Sequence, residues 1–394
     1  MTPAARSQAA IDLLDRIIVA AREGGAAADT LIARWFAERR YAGSKDRRAI
    51  RGLVYDAIRL CGERPESGRA ALVALARARP ELGATFDGSS YGPAVLGEEE
   101  VAAAAGVLPG WLRKRFADSG LGDNEQAALL ERAPLDIRLN RLKPASADLT
   151  TQFEGAVPVA HAPDALRLPS DTPLERLPAY AEGLFEIQDA GSQMVTTAAE
   201  ARPGMKVVDL CAGGGGKTLA LAAAMANQGS ILACDVDRPR LSRLAPRAER
   251  AGVTIAETRL LDPGREAERL SDWQGAADLV LIDAPCSGTG TWRRNPEARW
   301  RLTDARLKRL ADTQASLLDV AVDLVAPGGS VLYIVCSLLD AEGADQIAGF
   351  LRRHPGWAAE PPVLGVGRPR GDGARLTPLR DGTDGFFVAK LVRA

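Results

Sequence analysis

The chain has 394 residues, 46% of them hydrophobic, and its 50 basic and 51 acidic side chains leave a net charge of -1. That length exceeds one ordinary core and implies two or three domains, while the balanced charge excludes a globally basic nucleic-acid binder but leaves room for a local basic groove. Five scattered cysteines without a C-x-x-C pair, and only His161 and His354 as imidazoles, support neither a disulfide framework nor a zinc site.

The N-terminal run Met1-Thr2-Pro3-Ala4-Ala5-Arg6 leads into an amphipathic stretch, and no segment approaches the apolar length that spans a bilayer, so the expected location is the cytoplasm. From Gln8 to about Leu130 apolar residues recur at three- and four-residue spacing, as in Ile11-Leu14-Ile17-Ile18 and Ile50-Leu53-Val54-Ile58, which predicts a helical domain over 1–132. Its stretch Arg39, Arg40, Lys45, Arg47, Arg48, Arg51 suits phosphates or, more blandly, a solvated helix face. Between Pro134 and Pro178 prolines recur and Leu135-Asp136-Ile137-Arg138-Leu139-Asn140 alternates like a strand, so a small α+β connector is expected over 133–180.

Over 181–394 strand and helix alternate. A helix is expected at Ala190 to Ala201, followed by strands at Lys206 to Cys211, Ser230 to Asp235, Thr254 to Leu261, Ala277 to Asp283 and Ser330 to Cys336. Helices fit between them at Lys217 to Met225, Arg238 to Ala251 and Asp304 to Leu324. Such strands, buried on both faces, imply a parallel, doubly wound α/β sheet of Rossmann-like type. The run Gly385 to Val392 reads as a closing edge strand.

After the first of these strands comes Asp209-Leu210-Cys211-Ala212-Gly213-Gly214-Gly215-Gly216-Lys217-Thr218, a glycine turn opening a helix. A Walker loop requires Gly where Cys211 stands, and the run lacks the third glycine of G-x-G-x-x-G. An S-adenosylmethionine site fits better, because that ligand has no pyrophosphate. In enzymes of this fold an acid after the second strand takes the ribose hydroxyls, which makes Asp235 the candidate; Asp237 is an alternative better suited to capping the next helix. Asp262, after the third strand, is expected at the adenine edge. The cofactor-binding set is thus Cys211, Ala212, Gly213, Gly214, Gly215, Gly216, Lys217, Asp235, Asp262 and Asp283.

Two cysteines end apolar strands: Cys286 in Asp283-Ala284-Pro285-Cys286-Ser287-Gly288 and Cys336 in Tyr333-Ile334-Val335-Cys336-Ser337. Ligands of open α/β sheets bind at such strand ends, so two thiols there invite covalent chemistry, although a lone cysteine is usually a small buried hydrophobe. Next to them Arg293, Arg294, Arg299, Arg301, Arg306, Lys308 and Arg309 face only Glu297 and Asp304, with Trp292 and Trp300 available to stack on splayed bases. Arg293, Arg294, Arg299 and Trp300 are the candidate RNA contacts; a solvated basic helix with core tryptophans is the alternative.

The Pro-Cys run, the Asp-Leu-Cys-Ala-x-x-Gly-Gly-Lys-Thr loop, Gln188-Asp189-Ala190-Gly191-Ser192, Cys336-Ser337 and Gly385-Phe386-Phe387 together resemble the Sun/Fmu family of bacterial ribosomal RNA cytosine-5 methyltransferases. The resemblance covers essentially the second half of the chain. Ser44-Lys45-Asp46-Arg47 and Tyr55-Asp56-Ala57-Ile58-Arg59 resemble the family's NusB-type RNA-binding domain, which favours 16S rRNA over transfer RNA as substrate. It implies S-adenosylmethionine as methyl donor and RNA as partner; with no metal site and no spanning segment in the sequence, a monomer without metal or membrane is expected. It also implies Cys336 as the nucleophile that adds to C6, Cys286 as the thiol that aids product release, and Asp283 as a carboxyl on the N3 and amino edge of cytosine. Lys217 is expected on the donor's carboxylate or the target nucleotide, or else as a helix-surface lysine.

The chain departs from the family pattern at Val335 (usually Thr), at Gly213 and Gly214 (Ala-Pro), and at Asp340 and Gly343 (Pro and Asn). These changes bear on the donor loop and on RNA contact, but none removes a group the chemistry consumes. Two other readings stay open: a transfer-RNA cytosine-5 methyltransferase, and a non-catalytic RNA-binding assembly factor. A DNA enzyme would use Cys286 as nucleophile and leave Cys336 without a task.

Overall fold

The computed structural model describes residues 1–170 and 172–393. It divides into two compact units, Met1–Arg132 with Thr291–Thr303, and Ala133–Gly290 with Asp304–Ala394. The chain therefore contributes a short stretch to the helical unit immediately after the candidate thiol loop. Among the described residues no helix is long and apolar enough to cross a membrane, and no group of three or more His, Cys, Asp or Glu could hold a metal.

In the helical unit, α1 (Pro3–Glu23) starts at Thr2, whose hydroxyl accepts the Ala5 N–H at 3.1 Å, and stops at left-handed Gly24. α2 (Ala28–Glu38), α3 (Ser44–Leu60) and α4 (Gly68–Ala78) pack their apolar faces into one core with Leu13, Leu14, Ile17, Trp35, Ile50, Val54 and Ile58. Gly68 is needed where α4 meets α1, since a Cβ there would lie 2.3 Å from the Ile11 carbonyl. Of the basic stretch, Arg39 lies over the Trp35 ring and Arg47 bonds the Ala42 carbonyl, leaving Arg40, Lys45, Arg48 and Arg51 exposed. α5 (Gly110–Asp118) and α6 (Asp123–Ala128) complete this unit.

The second unit holds two sheets. Strands β1 (Leu135–Leu139), β2 (Val157–Val159), β3 (Ala162–Leu168) and β4 (Phe185–Ile187) form a small antiparallel sheet in the order β2-β3-β1-β4. Its last strand lies past residue 180, where the connector was expected to end.

The large sheet contains β5 (Lys206–Asp209), β6 (Ser230–Asp235), β7 (Ala256–Leu260), β8 (Ala277–Asp283), β9 (Val325–Val335), β10 (Trp357–Glu360), β11 (Arg368–Arg370), β12 (Gly373–Leu376) and β13 (Phe386–Arg393). Its order is β11-β12-β13-β9-β8-β5-β6-β7, with β5 to β9 parallel and β13 antiparallel to β9. β13 is not an edge: β12 pairs with its first half and β10 with its second.

α7 (Ala190–Thr197), α8 (Gly216–Ala224), α9 (Leu244–Ala251), α10 (Asp304–Leu324) and α11 (Ala344–Arg353) belong to the same unit. The single helix expected over Arg238 to Ala251 is two, Arg238–Leu241 and Leu244–Ala251, because Pro246 has no N–H for the Ser242 carbonyl. Strand order reverses between β5 and β8, and loops after those strands open at one switch point, the place where open α/β sheets bind ligands.

Candidate active site

The loop after β5 turns sharply through Gly213 (φ +55°) and Gly215 (φ +86°) into α8. At Gly215 a Cβ would meet Leu244 at 2.7 Å, so left-handed backbone and close packing both demand glycine. Gly213 and Gly214 leave space that guanidinium groups fill: Arg240 and Arg247 each approach within 3.2 Å of where a Cβ would stand. Arg247 donates to the Gly214 carbonyl and, at 2.7 Å, to Glu186, so side chains brace the loop where the family has Ala-Pro. The carbonyl of Gly216 accepts from the buried Arg138 at 2.9 Å.

Asp235 ends β6 with one carboxylate oxygen on the Gly213 N–H and the other on the Asp237 N–H, both at 2.7 Å. It is thus a brace of the glycine turn, with only its remaining lone pairs for a ligand. Asp237 caps the helix it precedes, accepting the Arg240 N–H at 2.9 Å. Asp262 is exposed and lies 3.6 Å from Arg269. Cys211 and Ala212 are packed into the apolar layers beside the sheet, and burial pushes the Cys211 thiol well above its ordinary pKa. Asp209 is completely buried; Thr218 donates to it at 2.7 Å, and desolvation raises its carboxyl to about 7.

Lys217, in the first turn of α8, is not a surface lysine. Its ammonium is 2.6 Å from the Asp283 carboxylate at the end of β8 and 5.8 Å from the centre of the Phe386 ring. Asp283 is the more exposed partner, at 34% against 9%.

β8 and β9 run side by side, with Asp283 opposite Ile334, and the Ala284 N–H bonds the Ile334 carbonyl at 2.9 Å. That register brings the thiols of Cys286 and Cys336 to 3.4 Å, too far for a disulfide and close enough for a hydrogen bond. The bond to Cys336 and burial hold the Cys286 pKa well above the ordinary thiol value. The Gly290 N–H closes the loop on the Cys336 carbonyl at 3.0 Å, and Gly290 and Gly385 pack backbone to backbone, where a Cβ on Gly290 would sit 2.0 Å from the Gly385 oxygen. Val335 is fully buried opposite Phe387. Hydroxyls near the thiol loops come instead from Ser287, Thr289 and Ser337.

Two other departures are used within the protein. Asp340 forms a two-pronged ion pair with Arg370, and a side chain at Gly343 would collide with the Phe387 ring at 2.7 Å.

The residues after Gly290 correct the expected RNA surface. Arg299 is fully buried and donates to the carbonyls of Ile58, Arg59 and Cys61 at the end of α3; Trp300 donates to the same Cys61 carbonyl at 3.1 Å. Arg293 is buried and bonds the Arg132 carbonyl at 3.0 Å, and Trp292 packs on Phe116 with ring centres 5.5 Å apart. Arg294 is half-buried. In this structure Arg299 and Trp300 hold the helical unit together: the tryptophans are in the core, but Arg299 is buried with them and is not part of a solvated basic helix. Glu342, buried and bonded to Ser287 and Gln314, is a site residue without a local sequence signal, because these partners are far away along the chain.

Residues 196–392 match the family described as 16S rRNA methyltransferase RsmB/F. A relative from Citrobacter koseri, Ribosomal RNA small subunit methyltransferase B, is 34% identical over 335 residues, spanning 81% of this chain and 76% of that protein. Among solved structures, the Methyltransferase Homolog Protein from Pyrococcus horikoshii is similar at 27% identity and a TM-score of 0.60, over 73% of this chain and all of that one. The structure of PH0851 shares the fold over 99% of both chains, with a TM-score of 0.78 at 24% identity.

Proposed function

Since the chain belongs to the 16S rRNA methyltransferase RsmB/F family, we propose that it transfers a methyl group from S-adenosylmethionine to C5 of a cytidine in 16S rRNA, with Cys336 as nucleophile and Cys286 as the thiol of the release step. The observation that carries this reading is the pair of free thiols 3.4 Å apart at the ends of neighbouring parallel strands.

The donor set suits a ligand without phosphate. Lys217, which a phosphate would attract, is committed to Asp283, and Arg247, beside the Gly213–Gly216 turn, is committed to Glu186. When bound, S-adenosylmethionine supplies an electrophilic methyl group. Residues of the turn and Asp235 would hold it, with Asp262 an exposed candidate beyond them.

C5 of cytosine is a weak nucleophile until a nucleophile adds to C6, and a thiolate does this at modest basicity. Cys336 fits that task because it directly follows β9 and its sulfur lies beside that of Cys286, so both thiols can meet one base. Asp283, oriented by Lys217 and partly open to solvent, is in place to bond the N3 and amino edge of the base. After methyl transfer, Cys286 in its thiolate form takes the C5 proton, the electrons of that C–H bond restore the C5–C6 double bond, and the sulfur–C6 bond breaks to free Cys336 as a thiolate. A target base must be unstacked to reach a thiol at the end of a strand, which favours a single-stranded segment. The work belongs in the cytoplasm, with RNA as the partner.

The test is to substitute each cysteine. Cys336→Ala is expected to abolish turnover, and Cys286→Ala to accumulate a covalent RNA–protein species on denaturing gels. Full turnover by Cys336→Ala, with loss in Cys286→Ala, would reverse the assignment. Bisulfite sequencing of RNA from a deletion strain, with one 5-methylcytosine lost from 16S rRNA, identifies the position.

A further inference from the structure

We infer that Glu342 is the positioning residue that holds the two thiol-bearing turns in register; this deepens, and rests on, the proposed roles of Cys336 and Cys286. Glu342 lies in the short turn Asp340–Glu342 after Cys336 and is completely buried. One of its carboxylate oxygens accepts the Ser287 N–H at 2.8 Å and the Gln314 side-chain amide at 3.2 Å. The other accepts the Ser337 hydroxyl at 2.6 Å and, in a very short contact, the Ser287 hydroxyl.

Ser287 is the neighbour of Cys286, and Ser337 is the neighbour of Cys336. The same Gln314 nitrogen also donates to the carbonyl of Pro285, on the other side of Cys286, at 2.9 Å. The buried Tyr333 hydroxyl donates at 2.7 Å to the Glu342 carbonyl, which ties the turn back to β9. One residue therefore reaches across both loops and fixes each close to its sulfur.

A carboxylate withdrawn from water is unfavourable unless donors replace its hydration. Here all the replacements come from the two turns and the helix behind them, so satisfying the carboxylate and ordering the thiols are one event. No bond joins Glu342 to either sulfur; it acts through Ser287 and Ser337. The chemistry needs two sulfurs at one base, and a misplacement of about 1 Å is enough to cost about 100-fold in rate.

Glu342→Gln keeps the size of the side chain but turns a donor toward the serine hydroxyls. With Glu342→Gln, turnover is expected to fall about 100-fold while affinity for S-adenosylmethionine, read by calorimetry, stays within about twofold. In a Cys286→Ala background the same substitution should slow formation of the covalent RNA species by a similar factor. Glu342→Asp should recover part of the loss, and Ser337→Ala, which deletes one donor, should lower turnover about tenfold.

Turnover by Glu342→Gln within about threefold of the parent overturns the inference. Should Glu342→Gln fail to fold, Ser337→Ala decides, and unchanged turnover in that variant overturns it equally. If Cys286→Ala with Glu342 intact forms no covalent species, the assignment of the sulfurs has failed, a result separable from the effect of Glu342 on turnover.

Discussion

Asp209 shows how a single side chain can record the electrostatics of the donor loop. Its carboxyl is raised from 3.8 to about 7, with desolvation the largest cause and the Thr218 hydrogen bond opposing it. A folded-state pKa above the unfolded one means that the native state holds its proton longer, so stability falls as pH rises from about 4 to about 7 and is level beyond. Asp209→Asn, which cannot ionise, should flatten that part of the melting-temperature profile; an unchanged slope would contradict the assignment. Lys217 is the companion case. Lys217→Met removes the ammonium beside Asp283 and is expected to lower kcat about 10- to 100-fold, measured under saturating donor and RNA.

At the scale of elements, the site is made by strand register and by glycines that permit close approach. Gly215→Ala places a side chain in left-handed backbone against Leu244 and should cost roughly 1–2 kcal/mol, with weaker donor binding by calorimetry. The strands were legible because β-branched runs buried on both faces leave a strong local pattern, and the thiols were legible because each ends such a run. Asp237 as a helix cap was readable for a similar reason, since capping is a local interaction. Glu342 was not readable. Its meaning depends on Ser287 and Gln314, more than twenty residues away along the chain, and one glutamate in a polar turn has no periodic signal. Asp235 was found, but its commitment to the Gly213 and Asp237 amides depends on where the turn folds back.

For the whole molecule, the stretch Thr291–Thr303 is the feature that composition misread. Four arginines against one glutamate look like a surface for phosphates, yet Arg299 ends the α3 helix by bonding its last carbonyls, a role fixed by residues some 240 positions earlier. Burial lowers the Arg299 pKa only to about 10, so it stays charged at neutral pH and complements the helix terminus. Arg299→Ala leaves those carbonyls without donors and is expected to cost on the order of 3 kcal/mol, seen as earlier melting of helical signal; a loss under 1 kcal/mol on that scale would contradict the capping role.

The same excursion makes the two units inseparable by a single cut. A chain begun after Arg132 would still carry Thr291–Thr303, with Trp292, Arg299 and Trp300 stripped of their partners and set directly behind the loop that bears Cys286. Such a fragment would present an apolar, charged flap in place of a clean domain boundary. The helical unit is therefore completed by residues from the middle of the chain and is no contiguous segment at its front.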